Sequence, residues 1–204
     1  MTSGKKDKKE GTYFGKELAP DDKRRWQPLQ GDNQFPSEEM RAVVLEWMKS
    51  MSNLGQALLR GVALGLGLAP ETFELTICRD PTEVFRILHY PPPEDSSTGW
   101  GVGEHTDYGL ITILAQDDCG GLEVKMKEEW VPVCTEELVF VVNIGDMLDK
   151  LTQGRYLSNP HRVRNASGRH RYSYPFFVEP SWDAEVVALS LDHTPPPSMK
   201  RWDD

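Results

Sequence analysis

The sequence feature that most constrains the fold is a series of short apolar runs, each of strand length, that begins after Pro70. Gly, Pro, Asn and Asp separate these runs, which is typical of β-strands joined by turns. The predicted strands are residues 84–90, 102–105, 110–115, 122–126, 130–133, 138–144, 161–163, 172–178 and 186–189. Because no helices alternate with them, the pattern predicts an all-β sandwich or jelly roll rather than a parallel α/β sheet.

A long helix is predicted before the strands. Apolar residues recur at three- and four-residue spacing from Met40 to Leu58, as on one face of an amphipathic helix. Ser37 is a suitable N-cap, and two glutamates follow it in the first turn. Residues 54–69 are the most apolar stretch, but they are too short and too interrupted to cross a bilayer and predict a buried helix instead. The expected architecture is therefore a jelly roll supported by a long helix on its N-terminal side.

Composition divides the chain into three segments. Residues 1–36 are polar, contain three prolines and lack an apolar period, so we expect irregular structure that packs through its aromatic residues. Those aromatic residues include Tyr13, Phe14 and Trp26. Residues 37–193 are expected to form the folded domain, and residues 194–204, which are rich in proline and charge, a flexible tail.

Charge and cysteine content exclude several classes of protein. The formal net charge of -9 argues against nucleic-acid binding, which needs clustered positive charge. Three cysteines without Cys-x-x-Cys spacing suggest neither a disulfide framework nor a cysteine zinc site, and they favour a cytoplasmic location. The first ten residues lack the apolar core of a secretory signal, and no run reaches the about 18 apolar residues of a membrane span.

Three residues are candidate metal ligands. His105 and Asp107 are two positions apart, and on an extended chain such residues point to the same face. His161 lies on a later predicted strand and is the candidate for a third ligand. Two imidazoles and one carboxylate on one face of octahedral iron(II) leave three positions open, enough for a bidentate oxoacid and O2. His-x-Asp alone is a weak motif, so the interpretation depends on what accompanies it.

Ten residues after His161, the sequence Arg171-Tyr172-Ser173 places an arginine and a serine on one face of a predicted strand. A guanidinium group binds a carboxylate through two charge-assisted hydrogen bonds, and a neighbouring hydroxyl adds another. This pair is suited to the distal carboxylate of 2-oxoglutarate.

The order His-x-Asp, His, Arg-x-Ser resembles the isopenicillin N synthase-like branch of the 2-oxoglutarate/Fe(II)-dependent dioxygenases. Further segments that are similar to this family are residues 86–91, 120–124, 130–133, 142–146 and 159–163. The resemblance runs from about Tyr13 to Leu189, which is nearly the whole chain.

The resemblance implies a double-stranded β-helix. It also implies oxidation of a small molecule by O2, through hydroxylation or related C–H oxidation, with decarboxylation of 2-oxoglutarate to succinate. On matching positions, the Fe(II) ligands would be His105, Asp107 and His161. The cosubstrate would be bound by Arg171, Ser173 and Tyr90. Some relatives use ascorbate or the substrate itself as the electron source in place of 2-oxoglutarate, and the sequence does not separate these cases.

Several alternatives stay open at this point. Members of this branch carry further residues before the point where this chain begins, so a short, catalytically silent binding or regulatory module is one alternative. A zinc hydrolase is another, although it would leave Arg171 and Ser173 without a purpose. Asn143 is equally a site residue or an ordinary buried asparagine. For Arg86, a surface salt bridge is favoured over contact with a substrate carboxylate. The substrate and the oligomeric state are not predicted.

Overall fold

The computed structural model describes residues 7–28, 30–92 and 100–191. The strands are β1 (Glu10–Gly15), β2 (Pro81–Tyr90), β3 (Trp100–His105), β4 (Ile111–Gln116), β5 (Leu122–Met126), β6 (Glu129–Pro132), β7 (Val141–Ile144), β8 (His161–Arg164) and β9 (Arg171–Ser181). The helices are α1 (Glu38–Gly65), α2 (Thr72–Leu75) and α3 (Asp146–Leu151), with a 3₁₀ turn at Lys23–Trp26. The predicted flexible tail, 194–204, lies outside the described residues.

The strands form two antiparallel sheets. The larger has the order β1-β2-β9-β4-β7 and the smaller the order β3-β8-β5-β6. Neighbours in sequence are often distant in the sheets, which is the crossing pattern of a jelly roll rather than of a simple meander. The mainly β, double-stranded β-helix expected from the sequence is therefore confirmed, and each predicted strand from residue 84 to residue 178 has its counterpart in β2 to β9.

Helix α1 covers the outer face of the larger sheet. Ser37 is its N-cap, as predicted, because the Ser37 hydroxyl accepts a hydrogen bond from the backbone N–H of Met40 at 3.2 Å. The two predicted helical stretches are one continuous helix. Its buried residues are Val44, Met48, Met51, Gly55, Leu59 and Ala63. They pack in one core with outward-facing side chains of the sheet such as Phe85, Phe176 and Val178.

The two faces of the larger sheet have different surroundings because successive side chains on a strand point to opposite sides. On β2, Phe85 belongs to the core under α1, whereas Leu88 and Tyr90 point to the smaller sheet. There they meet Val102, Leu122 and Val163 in a second apolar cluster. The space between the two sheets is therefore walled by β2 and β9 on one side and by β3, β5 and β8 on the other.

The expectation of irregular structure across residues 1–36 is wrong for Glu10–Gly15, which form the edge strand β1 along β2. This strand has two glycines and few apolar residues, so it lacks the alternating pattern that predicts a strand. It forms because its backbone pairs with β2. Phe14 is its anchor, being 1% exposed and stacked on Phe35 with ring centroids 5.0 Å apart. Trp26 does not pack as expected, since it is 90% exposed.

The predicted strand at residues 186–189 is also wrong. Val186 and Leu189 pack against the core, and the Leu189 backbone N–H donates to the carbonyl of Leu151 at 2.9 Å, but none of the described strands pairs with this segment. The alternating apolar pattern there reflects packing of an extended segment. Strand β7 begins later than predicted because Leu138 has a φ of 61°, which is incompatible with a strand.

Among the described residues, no helix is both long enough and apolar enough to cross a membrane.

The close approach of α1 to β9 makes a prediction about stability. A Cβ atom on Gly55 would lie 2.9 Å from Cγ2 of buried Val178, whereas one on Gly61 would meet nothing within 4 Å. We expect Gly55→Val to lower the free energy of unfolding by about 1–3 kcal/mol through overpacking. Gly61→Ala, the control on the same helix, should raise it by about 0.5–1 kcal/mol. Urea denaturation of both variants measures this, and equal stability of the two would contradict the packing described.

Candidate metal and cosubstrate site

His105, Asp107 and His161 converge at one end of the space between the sheets. His105 and His161 are register partners across the β3–β8 pair, and Asp107 follows two residues after His105. The Asp107 Oδ1 atom lies 3.9 Å from Nε2 of His105 and 3.7 Å from Nε2 of His161. One donor atom from each residue lies within 4.8 Å of the others, a spacing at which a single ion could contact all three.

Backbone carbonyls orient both imidazoles. Nδ1 of His105 is 2.9 Å from the carbonyl oxygen of Gly103, and Nδ1 of His161 is 3.4 Å from that of Asn159. A carbonyl can only accept, so Nδ1 carries the proton and the Nε2 lone pair is free to face a metal. Burial, with the neighbouring His161, lowers the pKa of His105, which favours the neutral form that binds metals.

Asp107 is held by two hydrogen bonds to one carboxylate oxygen. Its Oδ2 accepts from the Thr112 hydroxyl and from the Asn143 amide, each at 2.6 Å. These bonds turn the other oxygen, Oδ1, toward the two imidazoles. The question left open for Asn143 is thus answered structurally, since its side chain bonds Asp107. Sequence analysis missed Thr112, whose position follows from its register with Asn143 across the β4–β7 pair.

Arg171 is buried, with 1% of its surface exposed, and two of its three nitrogens are fixed by the protein. Nε donates to the carbonyl of Gly120 at 2.6 Å, and Nη2 donates to the Gln116 side chain at 2.9 Å. Nη1 is buried without a hydrogen-bond partner in the described part of the chain. Burial lowers the pKa of Arg171. A buried guanidinium with one unpartnered nitrogen among the described residues is suited to an anionic ligand.

Tyr90 and Ser173 lie beside Arg171. Tyr90 is the register partner of Arg171 across the β2–β9 pair, and the guanidinium carbon is 5.0 Å from its ring centroid. Burial raises the pKa of Tyr90, against the opposing effects of hydrogen bonding to Ser173 and of the Arg171 charge, so the phenol stays neutral at physiological pH. Gly101 makes room for this ring, because a Cβ atom there would lie 2.5 Å from Cδ1 of Tyr90.

The two histidines and the aspartate line the same cavity as Arg171, Ser173 and Tyr90. Its volume is about 1390 Å³. Typical small-molecule sites measure about 300–1,000 Å³, so this cavity is large enough to hold a small molecule. The structure thus brings together all six residues singled out from the sequence: His105, Asp107, His161, Arg171, Ser173 and Tyr90.

Comparison with known proteins gives the family. The model of the 2OG-Fe(II) oxygenase superfamily matches residues 81–180, the segment that contains every residue of the cavity site named above. The chain belongs to the 2OG-Fe(II) oxygenase superfamily. A Dictyostelium discoideum member, named as a probable iron/ascorbate oxidoreductase, is 39% identical over 233 residues, covering 100% of this chain and 64% of that protein.

Solved structures of 2OG-Fe(II) oxygenases share the fold. A Caulobacter crescentus protein assigned to this superfamily is 34% identical, with a TM-score of 0.81 over 92% of this chain and 63% of that one. The Arabidopsis thaliana dioxygenase for auxin oxidation 1, solved with 2-oxoglutarate, is 28% identical, with a TM-score of 0.70 over 79% of this chain and 61% of that one. The chain therefore spans less than two thirds of the length of each of these superfamily relatives.

The hydrogen bonds on Asp107 make a prediction about metal binding. We expect Thr112→Val and Asn143→Leu each to weaken Fe(II) affinity by about 10–100-fold, because the carboxylate loses a bond that orients it. Thr72→Val, which removes an exposed hydroxyl bonded to the carbonyl of Ala69, is the control and should leave the affinity unchanged. Anaerobic titration with Fe(II) measures the three affinities. If Thr112→Val and Asn143→Leu both bound Fe(II) with wild-type affinity, these hydrogen bonds would not be needed to orient the Asp107 carboxylate.

Proposed function

We propose that this chain is an Fe(II)- and 2-oxoglutarate-dependent oxygenase that oxidises a small molecule at a C–H bond, while 2-oxoglutarate is decarboxylated to succinate. The observation that carries the proposal is the presence, in one cavity, of a two-histidine, one-aspartate set and of a buried arginine with an unpartnered nitrogen. This combination of residues is suited to binding a metal ion and an anionic cosubstrate.

In this proposal, His105, Asp107 and His161 hold Fe(II). When bound, the iron activates O2 and, with 2-oxoglutarate as the electron donor, oxidises the substrate. The protein's part is to present two Nε2 atoms and one carboxylate oxygen from a single side, which leaves the opposite side of the ion for the cosubstrate and O2. The hydrogen bonds at Nδ1 and at Oδ2 of Asp107 fix that arrangement before metal binding.

Arg171, Ser173 and Tyr90 bind the distal carboxylate of 2-oxoglutarate in this proposal. The Gly120 carbonyl and the Gln116 side chain hold the guanidinium in place, so little side-chain entropy is lost on binding. Nη1 then donates to the carboxylate, and the neutral hydroxyls of Ser173 and Tyr90 supply further donors. Leu88, Val102, Leu122 and Val163 exclude water around the bound molecules.

O2 and a small-molecule substrate are the remaining partners, and ascorbate is an expected reductant, in keeping with the name of the Dictyostelium relative. The described cysteines, Cys78, Cys119 and Cys134, are free thiols, which supports a reducing compartment such as the cytoplasm as the place of action. The relative named for auxin oxidation does not extend that substrate to this chain, since the two share 28% identity.

Anaerobic titration with Fe(II) and then 2-oxoglutarate tests the proposal. We expect the weak visible charge-transfer band of an iron-chelated oxoacid, and His161→Ala should abolish it by removing a ligand. Arg171→Gln should keep Fe(II) binding but weaken 2-oxoglutarate by about tenfold or more, the effect of losing a charge-assisted carboxylate contact. Arg60→Gln removes an arginine on the exposed face of α1 that pairs with Glu74, and it is the matched control.

Two other outcomes would overturn parts of the proposal. Iron binding without the visible band would indicate an oxidase that uses no oxoacid. Folded protein that binds no iron would indicate a silent binding module. Succinate release, measured once a substrate has been found, completes the test of turnover.

A further inference from the structure

Arg86 is a cation on the wall of the cavity and lies on a different strand from Arg171. It lies on the same face of β2 as Leu88 and Tyr90, and all three line the cavity. Arg86 and Tyr90 are four positions apart, which corresponds to about 13 Å between their backbones along an extended strand. The backbone of Arg86 is therefore offset along β2 from the group around Arg171, although the Arg86 charge still lowers the pKa of Tyr90 against the larger effect of burial.

The surroundings of Arg86 hold the guanidinium without neutralising it. Its guanidinium carbon lies 4.3 Å from the ring centroid of Tyr13, its register partner on β1. Its Nε is buried and has no hydrogen-bond partner among the described residues. The sequence favoured a surface salt bridge for Arg86. Among the described residues Arg86 makes no salt bridge, and it contacts the Tyr13 ring instead.

A lysine adds to the positive charge at this position. Lys9, at the start of β1, lines the same cavity, and burial lowers its pKa, with the Arg86 charge acting in the same direction. Asp7 lies 3.5 Å from the Lys9 amine and compensates its charge. Lys9 and Arg86 thus place two positive charges on this part of the cavity wall.

A buried donor without a partner lowers stability, and a ligand that supplies an acceptor removes that penalty. A planar guanidinium whose face is covered by an aromatic ring offers its edge to a planar acceptor. A carboxylate has this shape, and its charge is opposite to that of the guanidinium. Apolar residues that line the same cavity, among them Leu88 and Phe177, would contact the rest of such a molecule.

We propose that Arg86, positioned by Tyr13, binds a carboxylate of the primary substrate, and that the substrate is accordingly a carboxylic acid with an apolar body. This inference rests on the proposed function, because it assigns the cosubstrate carboxylate to Arg171 and the substrate carboxylate to Arg86. Arg86 is the specificity-determining residue, and Tyr13 is a positioning residue that acts through it.

Matched pairs of probes test the proposal by calorimetry on protein loaded anaerobically with Fe(II) and saturated with 2-oxoglutarate. The probes are hexanoate, benzoate and phenylacetate, each compared with its own primary amide. We expect at least one acid to bind about tenfold or more tightly than its amide, and Arg86→Gln to remove that preference. Arg60→Gln, which deletes an equal charge far from the cavity, should retain it.

Variants of Tyr13 give a second test that does not depend on how well Arg86→Gln folds. Tyr13→Phe keeps the aromatic face and should preserve the preference for acids, whereas Tyr13→Leu should reduce it. A purely structural role for Tyr13 would change stability without changing the ratio of acid to amide affinity.

The proposal is overturned if no acid binds better than its amide, or if the preference survives in Arg86→Gln. Tighter binding of phenylphosphonate at pH 8 than of every carboxylate would overturn the assignment to a carboxylate. Calorimetry does not require iron, so the probes are also titrated without it. Absence of the visible iron–oxoacid band in the wild type counts against the proposed function, whereas a normal band without acid preference counts only against this inference.

Discussion

The antiparallel pairing of β2 with β9 is the interaction on which the rest of the structure depends. It places Tyr90 opposite Arg171 and Leu88 opposite Ser173 on the cavity side. On the other side it places Phe85 opposite Phe176 in the core under α1. Because side chains alternate, a slip of one residue would exchange the two faces and bury the polar set under the helix. The burial of α1 against the outer face therefore also fixes which side chains enter the cavity.

The site uses polar groups that reduce stability when no ligand is present. Arg171 and Arg86 each carry a buried nitrogen without a partner in the described part of the chain, and Asp107 brings a carboxylate oxygen close to two imidazoles. Stabilisation comes from elsewhere, chiefly from the apolar core between α1 and the larger sheet. This division, in which one face of the sheet supplies stability and the other supplies reactivity, is a general pattern in enzymes.

Much of the site was predictable because its signals are local. His105 with Asp107 and Arg171 with Ser173 are two-residue spacings whose meaning follows from the geometry of an extended chain. The contacts made across strands were not predictable: Thr112 reaches Asp107 through pairing of β4 with β7, and Arg86 reaches Tyr13 through pairing of β2 with β1. The same limit explains two wrong predictions. The strand Glu10–Gly15 was missed because it is defined by its pairing with β2. Residues 186–189 do not form the predicted strand because none of the described strands pairs with them.

The orientation of the donor set before any ion arrives has a consequence for which metal the protein contains in the cell. A pocket whose imidazoles and carboxylate are already aligned needs little rearrangement to accept any divalent ion of suitable size. Among first-row ions, intrinsic affinity for such nitrogen and oxygen donors increases from manganese through iron to copper, with zinc also bound more strongly than iron. In the proposed function, this geometry would offer iron no advantage over these competitors, so iron loading would depend on the supply of free ions, and contaminating zinc would be an expected inhibitor.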